Sequence, residues 1–194
     1  MIASLQGTLE SLGTEWAIID VNGVGFQVYM PTSTLSTLGT IGKEVHLHTH
    51  LVLREDNATL YGFASTEELE LFQVLIGVSG LGPKLALAML SAMNVEQVTM
   101  AIATGSVELL TVVPGIGKKM AERLVLELKD KIGAGLIATP AAYLAQENAD
   151  VLAALTSLGY SVSEATRAVA TLPQSSDLSL EEKIKLAFQY FGSK

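Results

Sequence analysis

The chain has 194 residues, room for one large domain or two to three small ones, and its 49% hydrophobic and 16% charged content describes a folded chain rather than a disordered one. It contains no cysteine, which excludes a disulfide framework, a thiolate zinc site and an iron–sulfur cluster. A net charge of −8 argues, at first sight, against a polyanionic partner.

The opening Met1-Ile2-Ala3-Ser4-Leu5-Gln6-Gly7 has neither the basic start nor the apolar stretch of a signal peptide. Residues 1–64 read as all-β. Ile2 to Leu9, Trp16 to Val21, Gly25 to Met30, Glu44 to Val52 and Ala58 to Phe63 are short runs rich in β-branched and aromatic residues, broken by glycine and polar residues. Val45 to Leu51 alternates with period two, as a half-buried strand does. Five strands in this length predict a small OB-like barrel.

From Ser65 the pattern becomes helical. Ser65 followed by Glu68 is a capping-box spacing ahead of Leu69, Phe72, Leu75 and Ile76. Residues 65–132 read as four or five short helices joined by glycine turns. The stretch from Leu69 to Met93 is the most apolar, but Glu70, Gln73, Lys84 and four glycines or prolines break it, so no membrane span is expected. Residues 133–147, with Gly133, Gly135, Pro140 and many small side chains, read as a linker. Residues 148–194 read as a three-helix bundle. Its first apolar stripe, Val151, Leu152, Leu155 and Leu158, ends at Gly159, a left-handed C-cap residue, and Ser161/Glu164 and Ser179/Glu182 open the next two helices. The fold class is α+β and multidomain.

A short repeat runs through the central region with an offset of 35 residues. Leu75, Val78, Gly80, Gly82, Lys84 and Ala86 recur as Leu110, Val113, Gly115, Gly117, Lys119 and Ala121. Two copies predict two helix-hairpin-helix units packed together, since a solenoid needs at least three. Each unit suits a phosphodiester. A Gly-x-Gly turn permits positive φ and close backbone approach, and it feeds a helix N-terminus whose free N–H groups favour an anion. Lys84 in the first copy, and Lys118, Lys119 and Arg123 in the second, stand where a neighbouring phosphate would lie. Such contacts carry no base information, so binding is expected to be independent of sequence.

Charge distribution reconciles this with the acidic total. Residues 1–66 hold two basic and six acidic residues, whereas residues 77–131 hold six basic and five acidic. Half of the twelve lysines and arginines fall in the hairpin region.

The hairpins, together with Arg54-Glu55-Asp56-Asn57-Ala58-Thr59-Leu60-Tyr61-Gly62-Phe63 and the opening heptapeptide, resemble the RuvA family over the whole chain. These are the Holliday-junction-recognition subunits of the bacterial RuvAB branch-migration complex, active in homologous recombination, DNA repair and the SOS response to DNA damage. The resemblance implies a cytoplasmic homotetramer around a four-way DNA junction. It implies that Glu55 and Asp56, flanked by Arg54, form an acidic pin near the crossover. It implies that the C-terminal unit docks on the RuvB ATPase, with Leu155, Leu158 and Tyr160 as candidate contacts, and that a RuvC resolvase joins a larger complex. No cofactor is expected.

Other constellations are weaker. His46, His48 and His50 alternate along one strand, but without a nearby carboxylate or cysteine they are expected to be surface histidines rather than a metal site. Trp16, Tyr29 and Tyr61 offer either a base-stacking platform or core packing, with core favoured by their strand positions. Catalysis finds no support: there is no Gly-x-x-x-x-Gly-Lys-Ser/Thr loop. A hairpin-type DNA glycosylase would need an aspartate about twenty residues after its hairpin, and no Asp or Glu lies between Asp130 and Glu147. A non-enzymatic rival is an adaptor that binds single strands or proteins, which would depend on Trp16 or Tyr29 rather than on the lysines.

Overall fold

The computed structural model describes residues 1–133, 148–160, 162–172 and 178–192. The chain forms two compact units, Met1–Met93 and Asn94–Lys194.

The first unit begins with strands β1 (Ser4–Leu12), β2 (Trp16–Val21), β3 (Val24–Tyr29), β4 (Glu44–Leu53) and β5 (Ala58–Phe63). They close into a barrel in the order β1-β2-β3-β5-β4, antiparallel except where β3 meets β5. This is the OB-like barrel expected from the run lengths. Period-two alternation places Leu5, Leu9, Ile19, Val28 and Leu47 inside. Gly7 is required at a close approach: a Cβ there would be driven into the Asp20 carbonyl on the paired strand.

Residues 1–64 are not purely β. Between β3 and β4 lies a short helix α1 (Thr32–Thr37) that the strand reading misses. Its Thr-Ser-Thr-Leu-Ser-Thr sequence is poor in strong helix formers. Four of its hydroxyls nonetheless find acceptors: Ser36 and Thr37 donate to the carbonyls of Ser33 and Thr34, while Ser33 and Thr34 bond outside the helix. Tertiary partners override weak propensity here.

Helices α2 (Thr66–Ile76) and α3 (Pro83–Ala92) complete the unit. The Ser65 hydroxyl caps α2 by accepting from the Glu68 N–H at 3.3 Å. Phe72 packs α2 onto the barrel, with ring centroids 4.8 Å from Phe63, 5.2 Å from Tyr61 and 5.7 Å from His50.

The second unit holds α4 (Val95–Ala103), α5 (Val107–Leu110) and α6 (Lys118–Gly133), then α7 (Ala149–Ser157), α8 (Val162–Ala170) and α9 (Leu180–Gly192). A full capping box, Asn94 with Gln97, opens α4, with bonds of 2.8 and 3.0 Å. Helix α6 buries Ala121, Leu124, Leu128 and Ile132, one stripe at helical spacing. The expected linker lies outside the described residues from 134 onward, as does Ser161 of the expected α8 cap.

Ser179 and Glu182 form the expected box at α9, the Ser179 N–H donating to Glu182 at 2.9 Å. At the end of α7, Gly159 adopts φ +94°, and the Gly159 and Tyr160 N–H groups bond back to the carbonyls of Thr156 and Leu155. That is a Schellman ending, as the glycine position predicts. The three helices share a core of Val151, Leu152, Leu155, Ala165, Ala168 and Ala187, to which Met100 of α4 also belongs. A unit this small gains from that extra apolar partner.

Candidate nucleic-acid interface

The two hairpin turns have the same geometry. In the first, the Leu81 N–H donates to the Val78 carbonyl at 3.0 Å; in the second, Ile116 donates to Val113 at 3.0 Å. The first glycine of each turn is left-handed, Gly80 at φ +85° and Gly115 at φ +90°. Any side chain there would incur the left-handed penalty of about 1–2 kcal/mol. The apolar residues beside them, Val78 and Leu81 or Val113 and Ile116, are buried and anchor the turn. Gly80, Gly82, Gly115 and Gly117 all face solvent.

The second glycine of each turn has a different role. Neither Gly82 nor Gly117 needs positive φ, and a Cβ on either would meet nothing within 4 Å. Packing therefore does not demand glycine at these sites. Its absence of a side chain leaves the backbone open to an approaching backbone.

Each second glycine also starts a helix. The carbonyl of Gly82 accepts from Leu85 and Ala86 at 3.0 and 3.1 Å, and that of Gly117 from Met120 and Ala121 at 3.0 Å each. Lys84 and Lys119 thus occupy the second position of α3 and α6, beside the helix N–H groups that point outward. Pro83 stands at the first position of α3, where its fixed φ suits the helix and its missing N–H costs nothing. Neither helix carries an acidic residue in its first turn. That is unusual for a helix start and leaves the positive end of the dipole for an external anion.

Lys84, Lys118, Lys119 and Arg123 are all exposed, at or near these helix starts. Lys118 lies 4.0 Å from Glu122, a solvated pair of the weak kind that a phosphate can displace.

Arg54, Glu55, Asp56 and Asn57 form the connection between β4 and β5 and are all exposed. The turn is closed by the Arg54 N–H donating to the Asn57 carbonyl at 2.8 Å. Two carboxylates therefore project from the barrel rim, on the same compact unit as the first hairpin. Burial pushes the Tyr61 phenol up, outweighing the Arg54 charge, which favours the ionised form.

The other sequence candidates fall as follows. Tyr61 is half-buried, packed between Tyr29 and Phe72, with centroids 6.3 and 5.2 Å away; Trp16 is half-buried too. Tyr61 thus lies in the seam with α2, whereas the Trp16 ring lies over Gly13. His46 and His48 stack edge to face at 5.1 Å, and His50 turns to Phe72 and Gln73. Desolvation holds His50 below the usual histidine range. Among the described residues no group of three His, Cys, Asp or Glu is placed to hold a metal ion. No single described helix is long and apolar enough to cross a membrane.

In the C-terminal unit the three candidate contacts separate. Leu155 is fully buried in the core, so it does not present a docking surface. Leu158 is 61% exposed. Tyr160 is half-buried, its ring 5.9 Å from that of Phe188, which is itself partly exposed. An apolar periodicity cannot separate the last residue of a core stripe from an exposed one when the helix ends between them.

Residues 1–62 match the RuvA N terminal domain, residues 72–130 a SAM-like helix-hairpin-helix tandem, and residues 146–191 the RuvA C-terminal domain. The chain is 53% identical to the Holliday junction branch migration complex subunit RuvA of Dehalococcoides mccartyi (strain CBDB1), over the full length of both. The chain belongs to the RuvA family.

The subunit of the same name from Chloroflexus aggregans is 48% identical, again over both full lengths. That of Pseudomonas paraeruginosa is 44% identical over 97% of this chain and 98% of the relative. Family membership accounts for the order barrel, tandem hairpins and C-terminal helices.

Proposed function

We propose that the chain grips four-way DNA junctions through their phosphate backbones, without sequence preference, as the DNA-holding subunit of a RuvAB-type branch-migration complex. The observation that carries this reading is the duplicated turn. Two left-handed glycines, two open glycines and two helix starts with lysines in the first turn recur with the same hydrogen bonds. One such turn grips a backbone; two on one chain suit a paired clamp. The names of the relatives support a junction as the target.

In this reading residues 1–64 carry the acidic pin, 65–132 the phosphate grip, 133–147 the tether and 148–194 the motor-docking unit. The active form is a homotetramer in the cytoplasm, so four pins converge at the crossover. A carboxylate about 4 Å from a phosphate is repelled by roughly 1 kcal/mol in water, and by more where solvent is excluded. Glu55 and Asp56 therefore oppose duplex in the centre and favour strands separated into the arms. The chain carries no catalytic site. ATP-driven work belongs to RuvB, docked through Leu158 and Tyr160, and strand cleavage to a RuvC resolvase in a larger complex.

Mobility shifts with a four-way junction, a linear duplex and a single strand test the proposal. The junction is expected to bind tightest. Affinity should fall with salt by about 0.9 log units per log unit of salt for each neutralised phosphate. Equal affinity for junction and duplex would sink the reading, and preference for the single strand would favour the adaptor alternative.

A further inference from the structure

The first hairpin is held at its open end by helix α1, and the hydrogen bonds that do this follow an unusual path. In a complete capping box the Glu68 carboxylate would return to the N–H of Ser65. Instead one carboxylate oxygen accepts from the Ala64 N–H at 3.0 Å and from the Thr34 hydroxyl of α1 at 3.0 Å. Thr34 is 1% exposed, so its hydroxyl lies out of water, while Glu68 is half-buried. On its other side α1 reaches the end of α3. The Thr32 N–H donates to the Ser91 hydroxyl at 3.0 Å, and the Ser33 hydroxyl donates to the Leu90 carbonyl at 3.2 Å. Ser91 in turn donates to the Leu87 carbonyl within α3 at 2.8 Å.

One short helix, inserted between two barrel strands, thus bonds to the start of α2 and to the end of α3. The apolar seam at Phe72 holds α2 on the barrel, and α1 reaches α3, which carries Gly82 and Lys84 at its opposite end. Ten residues of helix span about 15 Å. A tilt of about 10° at the clasp would displace the turn by roughly 3 Å over that length, about one hydrogen-bond length.

We infer that Glu68, Thr34 and Ser91 are positioning residues that set the first hairpin's phosphate-binding turn at a fixed distance from the acidic pin on the same unit. The inference rests on the junction-holding reading for its functional consequence. A duplex meeting only a hairpin does not need that distance; a junction that must meet the hairpin and the pin together does. Glu68 serves through one oxygen acting as acceptor, so an amide can replace it.

The test uses the full-length chain, which has no cysteine and so accepts site-specific labels directly. Spin labels at Asn57→Cys and Lys84→Cys report the pin-to-turn distance by pulsed dipolar spectroscopy, without DNA. Glu68→Ala and Thr34→Val are expected to broaden or shift that distribution, and Glu68→Gln to leave it as in the parent. In mobility shifts without labels, Glu68→Ala should cut the junction-over-duplex preference about tenfold while duplex affinity stays within twofold, and Glu68→Gln should restore the preference.

An unchanged distance in both Glu68→Ala and Thr34→Val overturns the clasp. So does a Glu68→Gln variant as impaired as Glu68→Ala, or a parallel loss of duplex affinity. Thr34→Val keeps the side-chain volume and decides the matter if Glu68→Ala does not fold. A parent chain without junction preference would instead defeat the junction-holding reading, and the distance measurement would still decide the clasp.

Discussion

The two hairpins share a turn but differ in almost everything around it. The first joins helices of eleven and ten residues, α2 and α3, packs on the barrel through Phe72 and is bonded to α1 through Glu68 and Ser91. The second joins a helix of four residues to one of sixteen, α5 and α6. The first has one lysine at its helix start, whereas the second has Lys118, Lys119 and then Arg123. Turn geometry is therefore a local property, set by a left-handed glycine and two buried apolar residues. In the proposed reading grip and placement are separate properties, with the second hairpin supplying charge and the first supplying position.

Charge reversal should expose that division most strongly. Lys118→Glu with Lys119→Glu is expected to weaken junction binding about 100-fold or more at moderate salt, and Lys84→Glu about tenfold. The salt dependence should flatten by about 0.9 for each phosphate that the variant no longer neutralises. Equal losses at the two hairpins, measured by mobility shift across a salt series, would erase the proposed asymmetry.

Substituting the left-handed glycines tests what the turns share. Gly80→Ala and Gly115→Ala should each cost about 1–2 kcal/mol of stability. Thermal unfolding of the two variants should show similar falls, since φ is +85° at one and +90° at the other. A large difference would mean that surroundings, not backbone conformation, decide the cost.

The open glycines should behave in the opposite way. Gly82→Ala and Gly117→Ala have room for a methyl group and should leave the thermal midpoint almost unchanged. Junction affinity should nevertheless fall several-fold, because the methyl group stands where a DNA backbone would approach. Loss of stability without loss of binding would reassign these glycines to packing.

The smallest effect is expected at the pin. Glu55→Gln with Asp56→Asn removes two charges from an exposed turn and should keep or strengthen junction binding, by a few-fold at most. Branch-migration behaviour, followed with the motor present, should change even so. Loss of binding in a mobility shift would show that these carboxylates support the turn instead of opposing the duplex.

Much of this arrangement was legible in the residues themselves. Period-two runs located the five barrel strands to within a few residues, because burial of one face imposes the alternation. The 35-residue repeat located both turns, because only glycine tolerates positive φ there without cost. The glycine after the Val151–Leu158 stripe marked the end of α7 for the same reason. These features depend on neighbours in sequence, so composition and spacing determine them.

What escaped was decided by contacts between distant segments. Helix α1 carries weak propensity and exists beside partners some 34 to 59 positions away, in α2 and α3. The run Thr32-Ser33-Thr34 hinted at local bonding, but nothing in it named Glu68 or Ser91. Leu155 and Leu158 belong to one stripe by spacing, yet one is buried and the other mostly exposed, and Met100 joins the C-terminal core from another helix. The sequence by itself determined which backbone conformations were cheap, and hence the barrel strands, the two glycine turns and their order. Only the tertiary structure decided which polar side chains became cross-links and which apolar ones became surface, because desolvation and hydrogen bonding are settled by what each group meets in space.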